Sequence, residues 1–190
     1  MKRGLLRSFL CAAGLAVLLI PTASQAQILT PQANVTLNAR LTETLSVTLT
    51  GVSLVNFTLV PGGVAPGDSS VAIQTSWVLR PNRTALKLVG YFDTTNALTD
   101  AGPPVANIAS ANVFGRVVTG TPTTFAPFTG TVVGIGTAGA SLELFSETIL
   151  GNNKTKARTD NLDLQIDLTS APQQPAGDYT GVLRIQAIAL

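Results

Sequence analysis

The chain has 190 residues, of which 45% are hydrophobic and 12% charged, and this composition excludes intrinsic disorder, which requires low hydrophobicity and high net charge. It contains no histidine and a single cysteine, so the Ser-His and Cys-His nucleophile systems and most zinc sites are excluded as well. We therefore expect a folded, non-enzymatic protein without a cofactor. We assign no catalytic, cofactor-binding or metal-binding residue.

Residues 1–26 are predicted to be a cleaved signal peptide. Lys2, Arg3 and Arg7 precede an apolar run from residue 9 to residue 20, and small residues lead to a cleavage site after Ala26. The run is shorter than the roughly 20 residues that a membrane-spanning helix needs, so no transmembrane helix is expected. These features predict a secreted, periplasmic or cell-surface protein.

A lipid anchor on Cys11 is the alternative interpretation of the N-terminus. Ser8, Phe9 and Leu10 precede this cysteine, whereas lipidation sites require a small residue there, and Cys11 lies at the start of the apolar run. Cleavage after Ala26 is therefore the preferred prediction.

Removal of the signal peptide changes the charge of the protein. Three of the twelve basic residues leave with it and all ten acidic residues stay, so the mature chain has a net charge of about −1. A nearly neutral protein lacks the concentrated positive charge that nucleic-acid binding requires. The mature chain also has no cysteine, and we predict that residues 27–190 form a single domain stabilised by its core rather than by disulfides.

The first predicted strand is unusually long. Apolar side chains occupy the odd positions from Val35 to Leu49, with Glu43 as the only break, and this period of two is typical of a strand with one buried face. Fifteen alternating residues would extend about 50 Å, whereas typical strands contain about 5–6 residues. The run therefore indicates either a first strand with a bend at Glu43 or a segment that extends beyond its own domain.

Further strands are predicted between clusters of turn residues, and their spacing indicates a sandwich or a barrel. Trp77, Leu164 and Ile166 are expected to face the core, while Asp163 and Gln165 are expected to face water. We predict an all-β fold, a single antiparallel β-sandwich of seven to nine strands. The remaining predicted strands are Val52–Val60, Val71–Leu79, Ala85–Phe92, Val113–Val118, Thr131–Ile135, Leu142–Ile149, Leu162–Leu168 and Tyr179–Ala189.

Two groups of acidic residues are candidates for a catalytic or a calcium-binding site. Asp163 and Asp167 lie about 13 Å apart along one strand, which is too far for a glycosidase carboxylate pair, so a solvated strand face is preferred. Asp93, Asn96 and Asp100 occur in a Thr-rich loop that could bind calcium. Their spacing matches no EF-hand loop, and Asp and Asn are ordinary turn residues.

Two further groups have structural explanations. A local basic cluster, Lys154, Lys156 and Arg158, is interpreted as a solvated hairpin tip, with an anion site as the alternative. Four Asn-X-Ser/Thr triplets begin at Asn34, Asn56, Asn82 and Asn153, and they matter only in a eukaryotic secretory pathway.

The last sixteen residues, PAGDYTGVLRIQAIAL from Pro175 to Leu190, resemble the closing segment of spore coat protein U-like and archaic chaperone–usher pilin domains. The resemblance lies in a Pro-Ala-Gly-x-Tyr turn that leads into a terminal alternating strand. It implies an immunoglobulin-like fold, bacterial export and assembly by strand donation between subunits.

We therefore expect an exported structural or adhesive surface protein, such as a fimbrial or coat-type subunit. It would associate with itself or with other surface subunits through its N-terminal segment, because an extended segment can complete the edge of a neighbouring sheet. A monomeric exported ligand-binding module and a small outer-membrane β-barrel are the alternatives.

Overall fold

The computed structural model describes residues 36–190 of the chain, so the predicted signal peptide, Cys11 and the start of the long alternating run lie outside the described residues. The chain divides into two units, Met1–Ala39 and Arg40–Leu190. Residues 36–39 of the first unit belong to no strand. All the elements described below lie in the second unit.

The second unit is all-β, and its only helical element is a 3-10 turn at Ser110–Asn112. Within the described residues, no helix is long and apolar enough to cross a membrane. The strands are β1 (Thr44–Leu49), β2 (Val64–Pro66), β3 (Val71–Val78), β4 (Ala85–Tyr91), β5 (Asn96–Asp100), β6 (Ala106–Ala109), β7 (Val113–Val117), β8 (Ala126–Pro127), β9 (Ser141–Thr148), β10 (Thr155–Asp167) and β11 (Arg184–Ala189).

These strands form two open antiparallel sheets and a hairpin. The larger sheet has the order β1-β3-β10-β7-β8, with β2 paired to the far end of β10. The smaller sheet has the order β11-β4-β9, and β5 and β6 form the hairpin. β1 is therefore an edge of the larger sheet and β11 an edge of the smaller one.

Both sheets contribute to one hydrophobic core. Trp77 on β3 and Ile166 on β10 are buried together with Leu88 on β4 and Leu144 on β9. Leu164 is also buried, so the predicted core-facing register of β10 is confirmed. Asp163 and Gln165 face away from the core but are only half-exposed. Burial of these alternate apolar side chains is the main stabilising contribution to the fold.

β10 is longer than predicted. Its first half did not show as a strand in the sequence because it carries charged residues on the core-facing side. Lys156 lies opposite Trp77 of β3, Arg158 opposite Thr75 and Asp160 opposite Ile73. Asp160 is completely buried and accepts hydrogen bonds from Arg158, and the Arg158 guanidinium lies 4.1 Å from the centroid of the Phe145 ring. A search for apolar alternation finds only the half that begins at Leu162.

Two predicted strands are wrong. Residues 52–60 belong to no strand and pair only through a bridge between Phe57 and Gly67. Residues 131–135 form a tight turn closed by a bridge between Val132 and Ile135, because Gly134 has a φ of 81°, which interrupts a strand.

The number of strands also differs from the prediction, since the described residues contain eleven rather than seven to nine. β2 and β8 are only three and two residues long, too short to show a period. The β5–β6 hairpin was missed because it lies in a stretch interrupted by turn residues and prolines.

Candidate functional site

An apolar groove of about 860 Å³ lies along one side of the domain. One wall is the segment 53–61, and the other is the segment 174–183, which leads into β11. The floor is made of core side chains from several strands, namely Val71, Phe92, Val113, Leu164, Ile166 and Ile185. We call this feature the edge groove.

Polar contacts hold the first wall in place. The Asn56 side-chain amide donates to Asp68 Oδ2 at 2.8 Å, and the Asn56 backbone N–H donates to Asp68 Oδ1 at 3.1 Å. The side-chain hydrogen bond from Asn56 is the largest cause of a pKa of Asp68 below its ordinary value. The wall is fixed by these bonds, although it lacks a strand ladder.

The second wall is held against β5. Thr180 and Thr99 exchange two backbone hydrogen bonds of 2.8 and 3.0 Å. A Cβ atom on Gly181 would lie 2.0 Å from the Ala97 carbonyl oxygen, so only glycine permits this close approach. The Tyr179 hydroxyl donates to the Pro175 carbonyl at 2.8 Å. These contacts fix the position of the second wall in the folded domain.

The start of β1 and the end of β11 are connected through Arg83, outside the residues that line the groove. Arg83 Nε donates to Glu43 Oε1 at 2.9 Å, and Arg83 Nη1 donates to the Ala189 carbonyl at 3.2 Å. The hydrogen bond from Arg83 is the largest cause of a pKa of Glu43 below its ordinary value. Glu43, which interrupts the alternation of the predicted first strand, immediately precedes β1. Through Arg83 it connects the start of β1 to the end of β11.

The backbone of β11 presents hydrogen-bonding groups toward the groove side. Leu190 exchanges backbone hydrogen bonds with Ala85, and alternate residues of a strand point these groups to opposite sides. The even-numbered residues of β11 therefore bond β4, while Ile185 and Ala187 direct their N–H and C=O groups away from it. β4 is the only strand paired with β11 among residues 36–190.

The long alternating run is only partly used by the domain. Leu45 and Val47 of β1 pack against the core, whereas Leu37 and Leu41 are 87% and 82% exposed. β1 begins opposite Val78, the last residue of β3, so the sheet offers no further partner to the residues before it. The described part of the alternating run that precedes β1 therefore exposes apolar side chains to solvent.

The candidate calcium loop does not form a carboxylate cluster. Both Asp93 carboxylate oxygens accept hydrogen bonds of 2.9 Å from Arg184, and Asp100 accepts one from the Gly102 backbone N–H. Among residues 36–190, no three His, Cys, Asp or Glu side chains are grouped so that they could hold a metal ion.

The predicted basic cluster is bonded into the fold rather than displayed as one patch. Lys156 donates to Glu147 at 2.7 Å, and Lys154 donates to the backbone carbonyls of Pro81 and Arg83. Arg158 is held by Asp160. Because Glu147 belongs to β9 and Lys156 to β10, the cluster connects the two sheets.

The remaining candidate side chains also have partners within the domain. Asp163 accepts hydrogen bonds from Ser70 and Arg116, and Asp167 accepts one from the Thr169 hydroxyl. Of the Asn-X-Ser/Thr triplets, Asn153 donates from its side-chain amide to Glu147 and to the Thr148 carbonyl. Trp77, predicted as a core residue, is 2% exposed and donates from its indole to the Asn153 carbonyl.

The structure thus defines an all-β domain with an apolar groove, which Leu49 of β1 and Ile185 of β11 line together with the two wall segments. Comparisons with protein-family models, with curated proteins and with solved structures find no match to this chain. The groove was not predicted from the sequence, because its walls are built from residues that pair with no neighbouring strand over most of their length.

Proposed function

We propose that this protein is an exported, non-enzymatic structural or adhesive subunit that assembles at the cell surface by strand donation. In this proposal, the fold is an immunoglobulin-like sandwich and the signal peptide directs export. The edge groove receives the N-terminal segment of another subunit. The observation that carries the proposal is the coexistence of this groove with exposed, strand-patterned apolar residues in the same chain.

The chemistry of the groove suits an extended peptide. Its floor is apolar and would accept alternate side chains, while Ile185 of β11 and the segment before it supply backbone donors and acceptors along one side. An added strand would satisfy both requirements at once, with main-chain hydrogen bonds providing affinity and side-chain pockets providing specificity. An open apolar groove beside an unpaired edge is otherwise an aggregation hazard in an exported protein.

The donor segment has the matching pattern. Val35, Leu37, Ala39 and Leu41 alternate with polar residues, so a strand formed by this segment would have one apolar face. Leu37 and Leu41 are already exposed in the described part of the chain. Covering such side chains with a partner is favourable by about 25 cal/mol for each Å² of apolar surface.

Deleting residues 27–40 tests the proposal. The truncated protein should stay folded, because β1 begins at Thr44, and should sediment as a monomer, whereas the full-length protein should form larger species. A peptide of residues 27–40 should bind the truncated protein. The matched control is the same peptide with Val35→Asp and Leu37→Asp, which should not bind.

Three results would count against strand donation. If the full-length protein remains monomeric at high concentration, it does not assemble by strand donation. If the truncated protein unfolds, the segment is an intrinsic first strand. Failure of the unmodified peptide to bind the truncated protein would also contradict the proposed role of the groove.

A monomeric exported ligand-binding module is the second candidate. The groove volume of about 860 Å³ lies within the range of small-molecule sites, and polar residues such as Asn56 and Gln174 lie at its walls. Displacement of an apolar fluorescent probe by a small molecule, but not by the N-terminal peptide, would favour this candidate.

A further inference from the structure

We infer that the strand received by the edge groove comes from a second copy of this chain, runs antiparallel to β11 and is held in one register by Arg40 of the donor and Asp178 of the acceptor. This inference rests on the proposed function and adds the orientation, the register and the identity of the donor.

Charge complementarity selects the two residues. Among residues 36–190, Asp178 is the only charged residue that lines the groove. Arg40 is the only charged residue between Gln27 and Thr42. Both are exposed, and neither forms a salt bridge within residues 36–190. A segment and a groove of the same chain therefore carry one unpaired charge each, of opposite sign.

The same charges determine the orientation. Asp178 lies in the wall that precedes β11, and Arg83 lies at the end of β11, where it bonds the Ala189 carbonyl. A donor placed parallel to β11 would bring Arg40 toward Arg83 and away from Asp178. The antiparallel orientation places Arg40 beside Asp178 and is also the slightly more stable form of strand pairing.

The register then follows without further choice. If Arg40 lies opposite Asp178, Leu37 lies opposite Gly181, Val35 opposite Leu183 and Ala33 opposite Ile185. Directly opposite residues of an antiparallel pair point to the same face. Leu183 and Ile185 pack against the core, so Val35 and Ala33 of the donor would point into the groove.

The backbone groups agree with this register. Thr180 directs its N–H and C=O toward Thr99, and Leu190 directs its own toward Ala85, so the odd-numbered residues between them face the groove. The odd-numbered donor residues would exchange hydrogen bonds with them. Pro31, which would lie opposite Ala187, has no N–H and ends the ladder on the N-terminal side.

Cysteine cross-linking of separate chains tests the inference. Thr36 would lie opposite Val182 in a pair without hydrogen bonds, where side chains are closest, and Val182 is 65% exposed. In a Cys11→Ser background, Thr36→Cys protein refolded together with Val182→Cys protein should form a disulfide-linked dimer. Leu37→Cys with Val182→Cys is the matched control and should form little dimer, because Leu37 would point to the opposite face.

Charge exchange supplies an independent measurement. Arg40→Asp or Asp178→Arg should weaken assembly by about two- to fivefold, as expected for an exposed ion pair, and the two changes together should restore it. Equal effects of the single and double variants would contradict the pairing of these two residues.

The outcomes separate this inference from the proposed function. Wild-type protein that does not assemble would overturn both. Assembly that persists without the Thr36–Val182 cross-link, or with an equal Leu37–Val182 cross-link, would overturn the register alone. A disulfide that forms only within one chain carrying both cysteines would overturn the second copy as donor.

Discussion

Replacing Asp160 by Ala should destabilise the domain more than any other change to its ion pairs. Asp160 is 0% exposed and accepts hydrogen bonds from Arg158 Nε at 2.7 Å, from Arg158 Nη2 at 2.5 Å and from the Thr119 hydroxyl at 2.8 Å. The variant leaves Arg158, which is 21% exposed, with Glu147 at 3.9 Å as its remaining carboxylate partner. Breaking a buried pair in this way costs about 3–5 kcal/mol.

Urea denaturation measures this cost. With a slope of about 2 kcal/mol per molar urea, the midpoint of Asp160→Ala should fall by about 1.5–2.5 M. The matched control is Asp163→Ala, which removes a half-exposed carboxylate bonded to Arg116, whose side chain is 42% exposed. Its cost should be about 1 kcal/mol, with a midpoint shift of about 0.5 M. Equal shifts for the two variants would refute the burial of charge on the core-facing side of β10.

Two further substitutions and one mass measurement have expected outcomes. Leu164→Ala should cost about 2–5 kcal/mol in the same assay, because it removes buried methyl groups, and a cost below 1 kcal/mol would contradict the assigned register. The hydrogen bond from Ser70, together with Arg116, lowers the pKa of Asp163 below 3.8, so its stabilisation is present above that pH and is lost as the pH falls through the lowered pKa. Asp163→Asn should therefore lose less stability than wild type between about pH 5 and pH 2, and parallel losses would argue against this pair. Intact-mass measurement of exported protein should give a chain that begins at Gln27, and a lipid on Cys11 would contradict the predicted cleavage.

The strands that follow simple alternation were predicted well. β3, β4 and β9 lie within a residue or two of the predicted bounds. The apolar face of β11 packs against the core as its alternation suggested, but the strand begins at Arg184 and not at the predicted Tyr179. In these segments local pattern and tertiary burial agree, so the sequence alone is sufficient.

The elements that were missed depend on contacts distant in sequence. The first half of β10 puts Arg158 and Asp160 on its core-facing side, where they are neutralised by each other and by Glu147 of β9. Residues 52–60 have a strand-like composition but line the groove instead of joining a ladder. No local rule indicates which apolar segment lacks a partner, so the groove could not be predicted from sequence.

The candidate donor, in contrast, was visible in the sequence. The run from Val35 to Leu49 is too long for one sandwich strand, and the structure uses only the part from Thr44 onward. Glu43, which interrupts the alternation, forms the ion pair with Arg83 at the point where β1 begins. The length of the pattern predicted an excess segment, whereas the groove that we propose as its acceptor was described only from the structure.

Amide hydrogen exchange along β11 tests strand donation most directly. In the variant that lacks residues 27–40, the amides of Ile185 and Ala187 should exchange rapidly, because among the described residues no strand pairs with that side of β11. Adding the peptide of residues 27–40 should slow the exchange of Ile185 in particular, since the proposed ladder reaches Ala33, while the amides that already bond β4 should change little. Unchanged exchange at Ile185 with saturating peptide would contradict the central claim that this edge accepts a donated strand.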